Sequence, residues 1–104
     1  MRIILDENVP HALCRMLAPR EVTTVQQAGL GGLGNGELLE KLEGAFDVFV
    51  TSDKNLRSQQ NLSGRTLGIV ELPTNRWSLL RPLQAKILAA IDGCQRSAYI
   101  TVES

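Results

Sequence analysis

The stretch that decides the fold is MRIILDENVP, residues 1 to 10, because it contains both halves of a strand–helix unit. The apolar run from Ile3 to Leu5 is typical of a strand that is buried on both faces. The polar run from Asp6 to Asn8 follows it without a spacer. Asn8 is a favourable N-cap residue, and Pro10 suits the first turn of a helix. The stretch therefore predicts a strand that ends on polar side chains and a helix that starts directly after it.

The same alternation continues along the rest of the chain. Apolar or β-branched runs predict five strands, at residues 2–5, 21–25, 47–52, 66–72 and 98–103. Apolar residues at helical spacing predict helices at residues 9–18, 37–45 and 76–93, and residues 53–63 are helical or irregular. Short strands that alternate with helices form a parallel sheet covered on both faces. The expected fold class is therefore α/β, a three-layer α/β/α sandwich with a central, mostly parallel, five-stranded sheet.

Length and composition suit one domain that spans residues 1–104, with 43% hydrophobic and 21% charged residues. No apolar run approaches the ~20 residues of a membrane span, and the N-terminus does not resemble a signal peptide. Cys14 and Cys94 lie far apart and lack the spacing of metal ligands, so reduced thiols are expected. These features predict a cytoplasmic protein that does not associate with membranes.

The charge is balanced overall but unevenly distributed. The formal net charge is zero, with about −4 in residues 1–53 and about +5 in residues 54–86. Such a division is compatible with an acidic site beside a surface that binds a polyanion. It is equally compatible with exposed helices that simply carry charge, and the charge pattern does not separate the two.

Acidic residues follow two predicted strands at the edge where ligands bind in open α/β sheets, outside the carboxyl ends of the strands. Asp6 follows the first strand, Asp53 follows the third, and Glu37 opens the helix after a glycine-rich loop. Each has a structural interpretation as a helix cap or as an acid at a helix N-terminus. Together they place like charges close to one another, which a divalent cation such as Mg²⁺ would compensate.

The glycine-rich loop and the single histidine give weaker evidence for a functional site. The glycines between residues 29 and 36 lack the GxxxxGK[ST] pattern of a phosphate-binding loop, so a mobile loop that positions Glu37 is the better interpretation. His11 is the only histidine, and an exposed position in the first helical turn is expected. With no second histidine, neither a zinc site nor a catalytic triad is supported.

Four segments resemble the small PIN-like proteins of the DUF5615 type, which are related to PIN-domain toxin ribonucleases. They are ILDENVP, VTTVQQAGLGG, GELLEKL and VFVTSDKNL, and the resemblance is strongest over residues 1–56. The resemblance implies a PIN-like α/β/α fold over the whole chain. It also implies a Mg²⁺- or Mn²⁺-dependent endoribonuclease, with RNA as substrate, a cognate antitoxin protein as partner and a homodimer as assembly.

The resemblance assigns catalytic and metal-binding roles to Asp6, Glu37 and Asp53. In the family pattern a further acid often follows two residues after the third one, and here that position is Asn55, which can offer an oxygen to a metal but no charge. Near Glu37, another position that is often acidic in the family falls on Asn35-Gly36. The acidic cluster is thus thinner than the family pattern.

Three hypotheses follow. The first is the metal-dependent ribonuclease, in which basic residues contact RNA phosphates: Lys54, Arg57, Arg65 and Arg76. The second is a catalytically weak or inactive PIN-like module that binds RNA or a partner protein. The third is a receiver-like signalling domain, which needs a lysine at the end of the fifth strand. The segment AYITVE, residues 98–103, has none.

Overall fold

A parallel sheet forms the centre of the molecule. The computed structural model describes residues 1–62 and 64–104. Its five strands are all parallel and each falls within its predicted segment, which confirms the α/β class. The strands are β1 (Arg2–Leu5), β2 (Glu21–Thr24), β3 (Val48–Thr51), β4 (Gly68–Glu71) and β5 (Tyr99–Thr101).

Short helices connect the strands. They are α1 (Leu13–Met16), α2 (Asn35–Leu42), α3 (Leu56–Gln59), α4 (Trp77–Leu80) and α5 (Gln84–Asp92). Among the described residues, none of them has the length and apolar character needed to cross a bilayer. The prediction of a helix from residue 37 is close, since α2 starts two residues earlier and buries the expected face of Leu38, Leu39 and Leu42.

The first helix is shorter than predicted, and the N-cap role of Asn8 is wrong. The Val9 amide donates to the Asp6 carbonyl (3.1 Å), so the chain turns over the sheet edge before α1 begins. The Asn8 side-chain oxygen instead accepts a bond from the Ser52 amide across that edge (3.4 Å). The predicted inward face is correct nonetheless, and it comprises Val9, Leu13, Met16 and Leu17.

The predicted helix at residues 76–93 is interrupted. Proline has no amide hydrogen and its ring clashes with the preceding turn, so Pro82 breaks the α-helical hydrogen bonding. A 3₁₀ turn, Arg81–Leu83, separates α4 from α5. Leu80 and Ile87, on either side of the turn, are both fully buried. The break therefore changes the direction of the chain without removing its apolar side chains from the core.

Alternating side chains of the sheet build two cores. On one face, Ile3 and Leu5 of β1 pack in a cluster with residues of α1, α4 and α5. On the other face, Ile4 of β1 and Phe49 of β3 pack in a cluster with residues of α2 and α3. This is the three-layer arrangement expected of a parallel sheet whose strands are apolar throughout.

The strand order β2-β1-β3-β4-β5 creates a topological switch point between β1 and β3. The chain moves outward from β1 to β2, then crosses back over β1 to reach β3 and continues in the opposite direction. At such a point, loops leave neighbouring strands toward opposite faces of the sheet and a crevice opens at the carboxyl edge. The ends of β1 and β3 therefore lie where an α/β sheet of this order binds its ligands.

Candidate functional site

Asp6 stands at the switch point as a half-buried carboxylate. Its amide still donates to Val50 of β3 (2.9 Å), whereas the carbonyl of Leu5, one residue earlier, accepts from Val25 on the opposite side (2.9 Å). The side chain is thereby held at the mouth of the crevice. Burial raises the pKa of Asp6 above its ordinary value of 3.8, and the nearby charges of Glu7 and Asp53 raise it further. Hydrogen bonds from Thr51 and the Glu7 amide act in the opposite direction.

Thr51 joins the two strand ends through its hydroxyl. This side chain is fully buried at the last position of β3. The hydroxyl donates to Asp6 Oδ2 (2.7 Å) and accepts from the amide of Asp53 (3.1 Å). One buried hydroxyl therefore fixes both predicted acidic residues relative to each other. The sequence analysis assigned no role to Thr51. Its position as a hydroxyl residue at the end of an apolar strand was the feature that could have pointed to the site.

Asp53 is held from two sides. Its Oδ1 accepts from the backbone amide of Asn55 (2.9 Å), and its Oδ2 accepts from the side-chain amide of Asn35 (3.0 Å). Asn35 is the first residue of α2. The helix that follows the glycine-rich loop thus reaches the site through Asn35, a position that the sequence singled out only for lacking an acid.

The glycine-rich loop is fastened to the site through Glu7. The Gly32 amide donates to Glu7 Oε1 (3.0 Å). Gly32 has φ +84°, in the left-handed region that glycine adopts without strain. Glu7 is therefore an anchor for the loop. With Asn35 at its far end bonded to Asp53, the loop connects to both acidic strand ends.

Glu37 and Asn55 lie outside this network of side chains. Glu37 is exposed in the first turn of α2, and within residues 1–62 and 64–104 its side chain makes no hydrogen bond or ion pair. Asn55 is exposed and contributes its backbone amide to Asp53. The structure therefore brings Asp6 and Asp53 together, while the metal-binding roles of Glu37 and Asn55 stay predictions.

The donor set fits a two-carboxylate cation site. Mg²⁺ commonly binds through one or two carboxylates and keeps several waters. Each carboxylate oxygen of Asp6 and Asp53 accepts one hydrogen bond from the protein, which leaves further lone pairs available. In the described part of the chain, no group of three or more His, Cys, Asp or Glu side chains is placed to hold a metal ion. A cation here would take two protein carboxylates, with water or substrate oxygens completing its shell.

The raised pKa of Asp6 gives a pH dependence of stability with a definite sign. Between the unfolded pKa near 3.8 and the higher folded pKa, the folded protein binds more protons than the unfolded chain. The Asp6 contribution to the free energy of unfolding is therefore expected to fall as the pH rises through this window, and to stay low above it. Denaturant unfolding of wild type and Asp6→Asn in EDTA, across a pH series, measures it. The free energy of unfolding of wild type minus that of Asp6→Asn should fall as the pH rises through the window. A value that stays constant or rises would contradict the assignment.

The four predicted RNA-binding residues are not all in one place. Arg57 and Arg65 line the same small recess. Lys54 is exposed and lines a different cleft, which it shares with Glu71. Arg76 is exposed at the residue before α4. The structure thus pairs two of the four cations and separates the others from them.

Glu71 and Tyr99 form a polar pair that the sequence analysis did not identify. The Tyr99 hydroxyl donates to Glu71 Oε1 (2.6 Å). Burial and this hydrogen bond raise the pKa of Tyr99 far above its ordinary value of 10, with smaller contributions that include the charge of Asp53. Glu71 is the last residue of β4. Its strand-end position is the signal that would have found it.

The remaining candidate residues stay apart from the acidic pair. His11 is exposed in the turn before α1. Cys14 and Cys94 are free thiols, and burial raises the pKa of each, which disfavours the reactive thiolate. Cys94 is buried, whereas Cys14, for which the apolar helix face predicts a buried thiol, is partly exposed.

Comparisons of the chain with protein-family models, with curated proteins and with solved structures gave no match. Fold and site together define a doubly wound α/β domain in which two acidic residues, Asp6 and Asp53, are joined through Thr51 at the switch point. The functional argument therefore starts from the chemistry of those carboxylates and of the cations near them.

Proposed function

We propose that this chain is a PIN-like, divalent-cation-dependent endoribonuclease in which Asp6 and Asp53 bind Mg²⁺ or Mn²⁺. One observation carries the proposal. Asp6 and Asp53 are held together at the switch point by one buried hydroxyl, that of Thr51, which bonds the Asp6 carboxylate and the Asp53 backbone amide, and no basic side chain in the described part of the chain forms an ion pair with either acid. Like charges held together in this way favour an added cation.

A divalent cation at this position would polarise a phosphoryl oxygen and lower the pKa of a bound water. The protein residues contribute placement. Thr51 holds the Asp6 carboxylate and the Asp53 backbone, Asn35 holds one oxygen of Asp53, and Glu7 fixes the loop that borders them. Phosphodiester hydrolysis depends mainly on such positioning and on electrostatic stabilisation of the charge that develops.

The substrate class rests on the cations beside the acidic pair. Lys54 follows Asp53 directly, and Arg57 lies one helical turn further along in α3. Phosphate groups bound by these side chains would bring a nucleic-acid backbone toward the carboxylates, because such contacts fix register and orientation. RNA is chosen over DNA on the PIN-like resemblance, which also underlies a toxin role with a cognate antitoxin.

The test is removal and return of the metal. Wild-type protein is expected to cleave labelled single-stranded RNA with Mg²⁺ or Mn²⁺ and to lose this activity in EDTA. The same ions should raise the melting temperature, because a ligand at 100 times its Kd stabilises a folded protein by ~2.7 kcal/mol. Gel analysis of the RNA and thermal unfolding measure the two effects.

A calcium-treated sample and a preparation repurified in EDTA serve as controls for a contaminating nuclease. Cleavage that persists at full rate in EDTA would remove the proposal. So would the absence of cleavage in a protein whose melting temperature does respond to Mn²⁺, because metal binding would then be separate from catalysis.

A second candidate is a PIN-like module that binds RNA or a protein without cleaving it. The observation that favours it is the exposed position of Glu37, which leaves the candidate site with two acids in place of three. RNA binding with unchanged affinity in EDTA, together with no cleavage under any metal, would select this candidate over the nuclease.

A further inference from the structure

A small recess beside β5 combines positive charge, an aromatic ring and an apolar floor. Its volume is about 180 Å³. Two arginines and a tyrosine form its walls, and the side chains of Leu67 and Ile69, each 3% exposed, form part of its floor. A volume below the ~300 Å³ of ordinary small-molecule pockets suits a single ring system rather than a whole cofactor.

Arg57 lies over the ring of Tyr99. The guanidinium carbon is 4.9 Å from the ring centroid, within the range of a cation–π contact. Tyr99 is itself fixed by its bond to Glu71. Arg57 is exposed, so the guanidinium face that points away from the ring is available for a further planar group. The tyrosine therefore supports the arginine as a stacking surface.

Arg65 supplies a second cation to the same recess. It is half-buried, and its Nε donates to the Asn61 carbonyl (3.4 Å). The charge of Arg65 acts on Glu43, whose carboxylate already accepts bonds from the amides of Thr66 and Leu67. Within the described residues, the only ion pair is Arg20 with Asp92. Two guanidinium groups thus share one recess, and neither forms an ion pair with a carboxylate of the described residues, which favours an anionic ligand.

We propose that this recess binds one unstacked nucleotide of a single-stranded nucleic acid, with the base against the Arg57–Tyr99 stack and the apolar floor, and a phosphate against Arg57 and Arg65. A flat apolar group beside an anion is the chemistry of a nucleotide. Unstacked bases of single strands stack on aromatic rings and on arginine planes in this way. A paired base in a duplex cannot enter such a recess.

This inference rests on the proposed function, since it assigns the strand that the acidic pair would act on. Arg57 links the two regions, because α3, in which it lies, follows Asp53 closely in the chain. A strand anchored by one nucleotide in the recess would run toward the carboxyl edge. The recess thereby specifies single-stranded substrate and leaves the chemical step to Asp6 and Asp53.

The experiment measures binding of a labelled single-stranded oligoribonucleotide of about eight nucleotides by fluorescence anisotropy in EDTA, so that no cleavage occurs. Arg57→Gln/Arg65→Gln is expected to weaken binding about tenfold or more, and to make the salt dependence of log K shallower by about 0.7, the value for one phosphate contact on a single strand. Arg15→Gln, an exposed arginine of α1 on the opposite face, is the matched control and should bind as wild type does.

Two further variants separate stacking from charge and from folding. Arg57→Lys keeps the charge but loses the planar group, so an intermediate affinity is expected. The exposed single variant Arg57→Gln tests the recess if the double variant does not fold. Asp6→Asn/Asp53→Asn should bind the oligonucleotide at least as tightly as wild type. It keeps both arginines of the recess and loses only negative charges, which repel the phosphates.

Several results would overturn the proposal. One is equal affinity of the double arginine variant and wild type. Another is a loss of affinity in Arg15→Gln as large as that in the double arginine variant. A third is binding of a duplex of the same length as tightly as the single strand. Uridine monophosphate that competes as strongly as the oligonucleotide would reassign the recess to free nucleotides. Binding that depends on the arginines in a protein that cleaves no RNA would support the recess and reject the nuclease, so the two failures are distinguishable.

Discussion

Asp6→Asn/Asp53→Asn is expected to lower the rate of metal-dependent RNA cleavage by about a thousandfold. Under the proposed function, loss of both carboxylates removes the charge that would hold a divalent cation at the switch point. The electrostatic stabilisation supplied by such a cation amounts to several kcal/mol, and each 1.36 kcal/mol corresponds to a factor of ten in rate. Single-turnover cleavage of labelled RNA at saturating Mn²⁺ measures the effect.

Glu37→Gln is the matched variant for this prediction. It makes the same acid-to-amide change at the third acid that the resemblance assigns, but Glu37 is exposed and has no partner among the described residues. We therefore expect a loss of no more than about threefold in rate, which corresponds to well under 1 kcal/mol. A loss in Glu37→Gln as large as in the double variant would show that Glu37 joins the site when metal and RNA are bound.

Thr51→Val is expected to destabilise the fold by about 3 kcal/mol. Valine has nearly the same shape, so no cavity forms, but the hydroxyl bonded to Asp6 and to the Asp53 amide is lost. A hydrogen bond to a charged group contributes ~1.5 to 3 kcal/mol, and a buried group left without its partner adds a desolvation cost. The loss is a large share of the ~5 to 15 kcal/mol that a domain of this size has. Denaturant unfolding at neutral pH measures it.

Thr51→Ser keeps the hydroxyl and removes one methyl group, so it isolates the polar contribution. Its expected cost is about 1 kcal/mol, close to that of one buried methylene with a small cavity. The pKa of Asp6 should also rise in Thr51→Val and stay near the wild-type value in Thr51→Ser, because the lost bond stabilises the ionised form. Equal stability of the two variants would show that the hydroxyl does not couple the strand ends.

The sequence by itself determined the local units. Runs such as Ile3 to Leu5 were placed as strands within one or two residues, and the leucines of α2 were assigned to the correct face. The acids at the strand ends were found by the same reasoning. These properties depend on the spacing of apolar residues and on the composition of short segments, and both can be read from one sequence.

The tertiary structure alone decided which strand ends meet and what holds them. The order that places β1 beside β3 brings Asp6 to Thr51, 45 residues away, and turns Asn35 rather than Glu37 toward Asp53. The recess that joins Arg57 to Tyr99 has the same origin. Such contacts depend on how the helices and strands pack and on where each helix begins and ends. Packing overrides the local helix and strand propensities on which the sequence-based predictions rest.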